Sequence, residues 1–433
     1  MRWSSDANIG AIGMLMKKIS IVTLGCKVNQ YESEEIAEQL EHDGYETCMG
    51  LVPADIYVVN TCAVTNEAER KSRNIMTKLL KLNENAKIYV CGCASEHNAE
   101  KFKKGEFVKG IIGNEKKLEI VKIIENDDPD FIKNQKQNAP SRVTDRTRAV
   151  LWVQNGCNNF CTYCIIPYLR GRETSFPLEE IEKKVRQLEK QANEIVIAGI
   201  NLSAYGRDVK GSEGLIEIAR LFKNSPSRFR FSSIHVDVIT EKFLEELKTF
   251  DNFCEQFHLS MQSGSNNTLK AMNRHYTKEE FLSKVQLIRK YFPNAGITTD
   301  IIIGFPSETN EDFAESLEFV KQVNFSEMHI FPFSPREGTV AAKMKNIAKD
   351  VPNRVKIMTE TAKQMKLDFI NKNLGLVHEV IIENLKNGYY MAHTKNYILC
   401  YINSELELNH NSKLYVKLTE AFEDGCKAEI VKM

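Results

Sequence analysis

Six of the eleven cysteines fall into two patterns whose spacing could do chemistry. The first is Cys157-Asn158-Asn159-Phe160-Cys161-Thr162-Tyr163-Cys164, a CxxxCxxC run. Three thiolates in so short a loop can take three corners of a 4Fe–4S cube and leave the last iron open to a non-protein ligand. A dithiol redox couple needs no third cysteine. A structural zinc site wants a further ligand close by, and no His or Cys follows before Asp208.

The second pattern is spread along the first third of the chain. Cys26 follows the apolar run Lys18–Leu24, Cys62 follows Asp55–Asn60, and Cys93 follows Lys87–Cys91. In an open parallel sheet the carboxyl ends of the strands share one edge, where ligands bind. Cysteines at three consecutive strand ends converge there and make a second iron–sulfur site with an open iron. Cys91 rivals Cys93, but a residue inside a strand points into a sheet face, so Cys93 is preferred. Cys48, Cys254, Cys400 and Cys426 read as small buried hydrophobes. An odd cysteine count in a long chain argues against a disulfide framework and for a reduced, cytoplasmic protein.

The elements that must position these thiols alternate. Between 17 and 138, strand-like runs at Lys18–Leu24, Asp55–Asn60, Lys87–Cys91 and Val108–Ile112 alternate with helical patterns at Tyr31–Asp43 and Thr65–Leu82. That rhythm predicts an α/β, doubly wound parallel sheet. Polar residues at 139–148 read as the end of a linker that begins near Asn126. Six candidate strands follow in 149–374: Val150–Val153, Glu194–Ala198, Phe229–Ile234, Gln256–Met261, Ile297–Ile303 and Met328–Phe333. With helices between them, such as Leu178–Gln191 and Lys278–Tyr291, they fit a partial (β/α)6 barrel closed by a helix at Lys349–Asn373. Residues 375–433 change to β-branched and aromatic runs separated by Asn387-Gly388 and Asp424-Gly425, the signature of a small antiparallel β-barrel. Residues 1–16 read as a tail or a mis-assigned start, with Met14 or Met16 as alternatives. No secretory signal or membrane span is read from the sequence.

The cluster loop and its βα series resemble the radical S-adenosylmethionine (SAM) superfamily. The resemblance implies that the open iron is chelated by SAM. It implies further cofactor contacts at Tyr163, at Gly199 and Asn201 after the second barrel strand, at Gln262 and Ser263 after the fourth, at Asp300 on the fifth, and at Phe331 on the sixth. Two cluster sites followed by a β-barrel are similar to the methylthiotransferases. In that family the N-terminal domain holds an auxiliary cluster and the tail is a TRAM domain. The stretches Thr23–Ser33, Asn60–Thr65 and Met272–Thr277 most resemble the branch that acts on N6-threonylcarbamoyladenosine in tRNA. Ser307, His235 and Val236 depart from that pattern, beside the site rather than on a cluster ligand.

The resemblance implies that the barrel cluster reduces SAM to a 5′-deoxyadenosyl radical. An auxiliary-cluster sulfur then enters C2 of the base, and a second SAM supplies the methyl group. Implied partners are the tRNA anticodon stem-loop, a sulfur source and an electron donor such as flavodoxin or ferredoxin. The same chemistry admits isopentenyladenosine tRNA or a ribosomal-protein aspartate as substrate. Outside that chemistry stand an iron–sulfur protein that binds RNA or senses redox state without catalysis, and a simple redox carrier.

Net charge is zero, so composition does not advertise a nucleic-acid partner. Residues 17–140 carry 18 basic and 20 acidic residues, 141–374 carry 33 and 29, and 375–433 carry 6 and 8. Local candidates for RNA contact are Arg142, Arg146, Arg148, Arg170 and Arg172, with Tyr389, Tyr390, Tyr397 and Tyr401 as stacking surfaces in the tail.

Overall fold

Strands buried on both faces read as unbroken apolar runs, and the chain begins with a sheet of this kind. A computed structural model describes residues 18–103, 105–127 and 147–431. The expected tail at 1–16, most of the linker, and Arg142 and Arg146 lie outside the described residues. The chain divides into two compact units. The first is built on the N-terminal sheet. The second holds everything from Val143 onward together with Cys26–Tyr31 and Ala63–Ala68.

The first unit contains β1 (Lys18–Thr23), β2 (Glu46–Met49), β3 (Ile56–Thr61), β4 (Lys87–Gly92) and β5 (Val108–Ile112), in the order β2-β1-β3-β4-β5. All pairs are parallel, as a doubly wound sheet requires. Every residue of β3 is buried, and Ile19, Ile21, Val58 and Tyr89 pack with Ile36 and Leu40 of the helix Lys27–His42. β2 has no counterpart among the strands expected from the sequence. Its residues Glu46-Thr47-Cys48-Met49 are half-buried or exposed at the sheet edge, so no apolar run marks them.

The core of the second unit carries β6 (Arg148–Asn155), β7 (Thr174–Ser175), β8 (Glu194–Gly199), β9 (Arg228–Phe231), β10 (Ser233–Ile234), β11 (Gln256–Leu259), β12 (Gly296–Ile303) and β13 (Glu327–Pro332). They form two four-stranded sheets, β7-β6-β8-β9 and β10-β11-β12-β13. The expected strand Phe229–Ile234 is interrupted at Ser232, so β9 ends one sheet and β10 begins the other. Six parallel strand positions therefore run in chain order. Two connecting helices start on capping boxes, Thr277 with Glu280 and Thr309 with Asp312, which satisfy the first free amides of Lys278–Tyr291 and Asn310–Val323. The helix Val351–Asn373 follows the last strand.

The tail comprises β14 (Val377–Lys386), β15 (Tyr389–Thr394), β16 (Leu399–Ile402), β17 (Lys413–Phe422) and β18 (Gly425–Ile430), closed in the order β14-β15-β16-β18-β17. Bulges at Ile382/Asn384 and Leu418/Glu420 bend the two longest strands. The expectation of a purely antiparallel barrel needs one correction, because β16 and β18 run parallel. Strand directions cannot alternate without a break around a ring with an odd number of strands.

Core and tail meet over Glu194, which is fully buried. Its carboxylate receives Arg148 Nε at 2.8 Å, Arg228 Nε at 2.6 Å and Arg230 Nε at 2.7 Å. Arg148 also bonds Glu383 of β14, and Arg228 lies 3.7 Å from Glu379. Burial alone would raise the Glu194 carboxyl, but Arg230, Arg228 and Arg148 together hold it well below the usual carboxylate range. Two expected RNA contacts are corrected here. Arg148 is committed to these ion pairs, and the Tyr397 ring lies under the guanidinium of Arg230 at 4.6 Å.

Candidate functional site

The CxxxCxxC loop leaves β6 through Gly156, at φ 70°. A Cβ there would stand 1.9 Å from the carbonyl oxygen of Arg172, so only glycine lets the strand turn. The loop is then clamped by the segment Ala271–Arg274. Thr162 donates from its amide to Met272 O at 3.1 Å and from its hydroxyl to Ala271 O at 2.8 Å. Asn273, left-handed at φ 58°, donates from Nδ2 to the carbonyls of Asn159 and Phe160 at 3.1 and 3.2 Å. Arg274 Nη1 donates to Cys161 Sγ at 3.6 Å. These contacts give the start of Met272–Thr277 a physical task, holding the cluster loop in place.

All three thiols are half-buried. Burial raises the Cys157 thiol and pushes Cys164 up to about 12, with Cys161 adding to both. Such thiols hold their protons until a metal displaces them. Three sulfurs on one loop, with a guanidinium donating to one of them, fit a cube held at three corners.

The expected SAM contacts divide. Asn201 donates its amide to Gln154 Oε1 at 2.8 Å and its Nδ2 to Glu173 Oε1 at 2.8 Å. That leaves Asn201 Oδ1 buried with no hydrogen-bond donor, an acceptor that suits an ammonium group. Gly199 ends β8, where a Cβ would stand 3.0 Å from Gln154 Oε1. Gln262 holds a left-handed backbone at φ 72°, with its amide on Asp300 O at 2.9 Å. Phe331 is 43% exposed on β13. Tyr163 packs on Met272, Phe305 and Ala341, and burial raises its phenol.

Two further expected contacts have partners of their own in the fold. Ser263 is 1% exposed, and its hydroxyl lies 3.3 Å from that of Ser316 and accepts from the Ser265 amide at 3.2 Å, so packing consumes it. Asp300 faces the interior of the core, 3.2 Å from His258 Nε2.

Sequence reasoning missed Glu173, which also accepts from the Asn158 amide at 3.0 Å and so ties the loop to the end of β8. It also gave no role to Arg274. A cavity of about 380 Å³ beside the loop is lined by Asn159, Cys161, His235, Asn273, Arg274 and Tyr276, among others. Apart from Cys161, none of the expected cluster or cofactor residues lines it. Burial, with Arg274 and Arg207 nearby, holds the His235 imidazole neutral and lowers its pKa to about 3. Arg172 stacks its guanidinium over Phe160 at 4.7 Å, and Arg170, 8% exposed, donates to Asn29 Oδ1 at 2.8 Å.

In the first unit β1, β3 and β4 lie side by side, with Thr23 opposite Asn60 and Thr61 opposite Gly92. Cys62 and Cys93 are the first residues past β3 and β4, and both are buried. Gly92, at φ 99°, passes so close to β3 that a Cβ would stand 2.5 Å from Thr61 O. Asn114 Nδ2 donates to Cys93 Sγ at 3.9 Å. Cys91 lies inside β4 and is fully buried in the apolar cluster of the sheet, whereas Cys93 is the first residue past the strand. Cys26 follows β1, is exposed, and points its sulfur at Asn29 Oδ1, 3.8 Å away.

Comparison with protein families matches residues 153–320 to the radical SAM superfamily and residues 18–113 to the uncharacterized protein family UPF0004. The threonylcarbamoyladenosine tRNA methylthiotransferase MtaB of Bacillus subtilis (strain 168) is 34% identical over 404 residues, 88% of this chain and 90% of that protein. MtaB of Thermotoga maritima is 35% identical over 438 residues, 96% of this chain and 98% of that protein. The chain belongs to the radical SAM methylthiotransferases. The tRNA-2-methylthio-N(6)-dimethylallyladenosine synthase of Aliarcobacter butzleri is also similar, 33% identical over 96% of this chain and 99% of that protein. The radical SAM methyltransferase TsrM of Kitasatospora setae shares the fold, with a TM-score of 0.52, 12% identity, and coverage of 87% of this chain and 81% of that one. As a methylthiotransferase the chain is an enzyme that transfers a sulfur-containing group with SAM and 4Fe–4S clusters as cofactors, and the non-catalytic readings fall away. No described helix is long and apolar enough to cross a membrane.

Proposed function

We propose that this methylthiotransferase acts in the cytoplasm on the anticodon stem-loop of tRNA. It converts N6-threonylcarbamoyladenosine beside the anticodon to its 2-methylthio derivative. Relatives of similar identity carry threonylcarbamoyl and dimethylallyl substrates in their names, so overall identity does not choose between them. The observation that favours threonylcarbamoyl is Lys27. It lines a cavity of about 650 Å³ inside the core, and among the described residues its ammonium makes no ion pair or hydrogen bond. A threonylcarbamoyl group carries a carboxylate for such a cation, and a dimethylallyl group does not.

Cys157, Cys161 and Cys164 hold the SAM-binding cluster, and Cys26, Cys62 and Cys93 hold the auxiliary one, supported by the adjacency of β1, β3 and β4. When bound, these groups supply one-electron cleavage of SAM and a transferable sulfur. The chain's residues supply the rest. Asn201 Oδ1 receives the ammonium of SAM, and Glu173 fixes the Asn201 amide. Arg274 donates to a cluster sulfur and so tunes it. Lys27 pairs with the substrate carboxylate. Residues 17–138, 149–374 and 375–433 correspond to the auxiliary-cluster domain, the radical SAM core and a TRAM-like domain. Tyr389, Tyr401 and Phe422, with ring centroids 5.1–5.9 Å apart, offer the tail an aromatic surface for RNA. The electron comes from a flavodoxin or ferredoxin class of donor, and sulfur from a separate source.

The test offers reduced, cluster-loaded enzyme two anticodon stem-loops, one threonylcarbamoylated and one isopentenylated, and identifies nucleosides by mass spectrometry. The threonylcarbamoyl product should dominate, and Lys27→Met should lower its yield selectively. Preference for the isopentenyl substrate would overturn the assignment.

A further inference from the structure

The core holds a further set of metal-type donors, on different residues from either cysteine trio. His258 on β11, Asp300 on β12 and His329 on β13 each offer one donor atom, and these atoms lie within 4.8 Å of one another. The three strands are neighbours, with His258 in register with Thr298 and Asp300 in register with His329. All three side chains line the 650 Å³ cavity.

We propose that His258, Asp300 and His329 bind one divalent transition-metal ion inside the core, with open coordination positions facing the cavity. His258 Nε2 is 3.2 Å from Asp300 Oδ2 yet is buried without a hydrogen-bond partner. Donor atoms that are close but not hydrogen-bonded suit two corners of a coordination shell. Metal bonds of about 2.0–2.1 Å at tetrahedral angles place ligand atoms roughly 3.3 Å apart.

The other ring nitrogen is already supported. His258 Nδ1 lies 3.0 Å from Thr298 Oγ1, which accepts from Gln256 Nε2 at 2.9 Å, and Gln256 Oε1 accepts from Arg230 Nη1 at 3.4 Å. The Gln256 amide uses one lone pair of the Thr298 oxygen. With Nδ1–H assigned as donor to the other, Nε2 is left with its lone pair toward Asp300. An imidazole oriented in this way by its remote nitrogen is the usual support for a metal-binding histidine. Two imidazoles and one carboxylate with open positions suit ferrous iron or zinc rather than magnesium or calcium. A bound ion would join three adjacent strands and place positive charge in the cavity that Lys27 also faces.

Zinc is the probe, added to the full chain with its clusters already loaded so that the cysteines are occupied. Calorimetric titration should give one zinc per chain, retained through desalting, with iron content unchanged. His329→Gln, at an exposed position, and Asp300→Asn should each weaken zinc binding by at least the roughly 10–100-fold that loss of an outer-shell partner costs, while keeping full iron content, which reports a folded protein. Glu327→Gln, on the same cavity wall, should bind zinc as the parent does. Equal zinc retention by parent, His329→Gln and Asp300→Asn overturns the proposal, and so does the absence of retained zinc in the parent.

Discussion

Arg274 donates to the sulfur of Cys161 at 3.6 Å, while its other terminal nitrogen holds Ser260 O at 2.7 Å. One guanidinium thus fixes Cys161, a proposed cluster ligand, to the end of β11. Arg274→Met should keep the cluster and lose the donor. We expect full iron content with SAM cleavage to 5′-deoxyadenosine slowed by about 10–100-fold. Unchanged cleavage would remove Arg274 from the machinery.

Cys91 and Cys93 stand two residues apart and are both buried, one inside the sheet and the other just past its carboxyl edge. Cys93→Ser should lose about half of the iron bound by the parent, on the expectation of two clusters of equal nuclearity. Cys91→Ala should keep all of it. Iron and sulfide analysis of anaerobically reconstituted protein decides this. Iron loss in Cys91→Ala alone would reverse the choice of ligand.

Asn273 combines a left-handed backbone with two hydrogen bonds that hold the cluster loop. Asn273→Gly keeps the backbone and loses both bonds, at a cost of about 1–3 kcal/mol. Asn273→Ala should cost a further 1–2 kcal/mol or so, because alanine resists φ near 58°. Denaturant midpoints of the two variants measure the difference, and the order Gly above Ala is the expected result.

Glu194 bonds three arginines in full burial. Its Gln variant should destabilise the second unit by about 3–5 kcal/mol. A carboxyl held below its unfolded value binds its proton less readily when folded. The stabilisation is therefore complete above the unfolded pKa of about 4.3 and is lost as pH falls toward the lower folded value. Unfolding free energies of the parent should drop more steeply below about pH 4.3 than those of Glu194→Gln. Parallel pH profiles would contradict the depressed ionisation.

Much of this was legible because parallel strands announce themselves as apolar runs. Lys278–Tyr291 matched its helix end to end, since Thr277 and Glu280 spell out a capping box. β2 was not legible, because an edge strand of Glu46-Thr47-Cys48-Met49 has no buried face to pattern. The cysteines of the cluster loop were visible through their spacing. Glu173 and Arg274 were not, because each acts on a residue distant in sequence, Asn201 or Cys161, and only the folded chain brings them together. The surroundings of Ser263 and Asp300 were not legible for a related reason. A residue at a strand's carboxyl end can turn toward a neighbouring helix or toward the interior, and sequence does not say which.

Because β14-β15-β16-β18-β17 close on themselves, the tail gives each of its strands a paired neighbour on both sides. It is therefore barred from recruiting another polypeptide by adding a strand, and equally protected from templating aggregation. Whatever this module grips, it must grip with side chains and connecting turns.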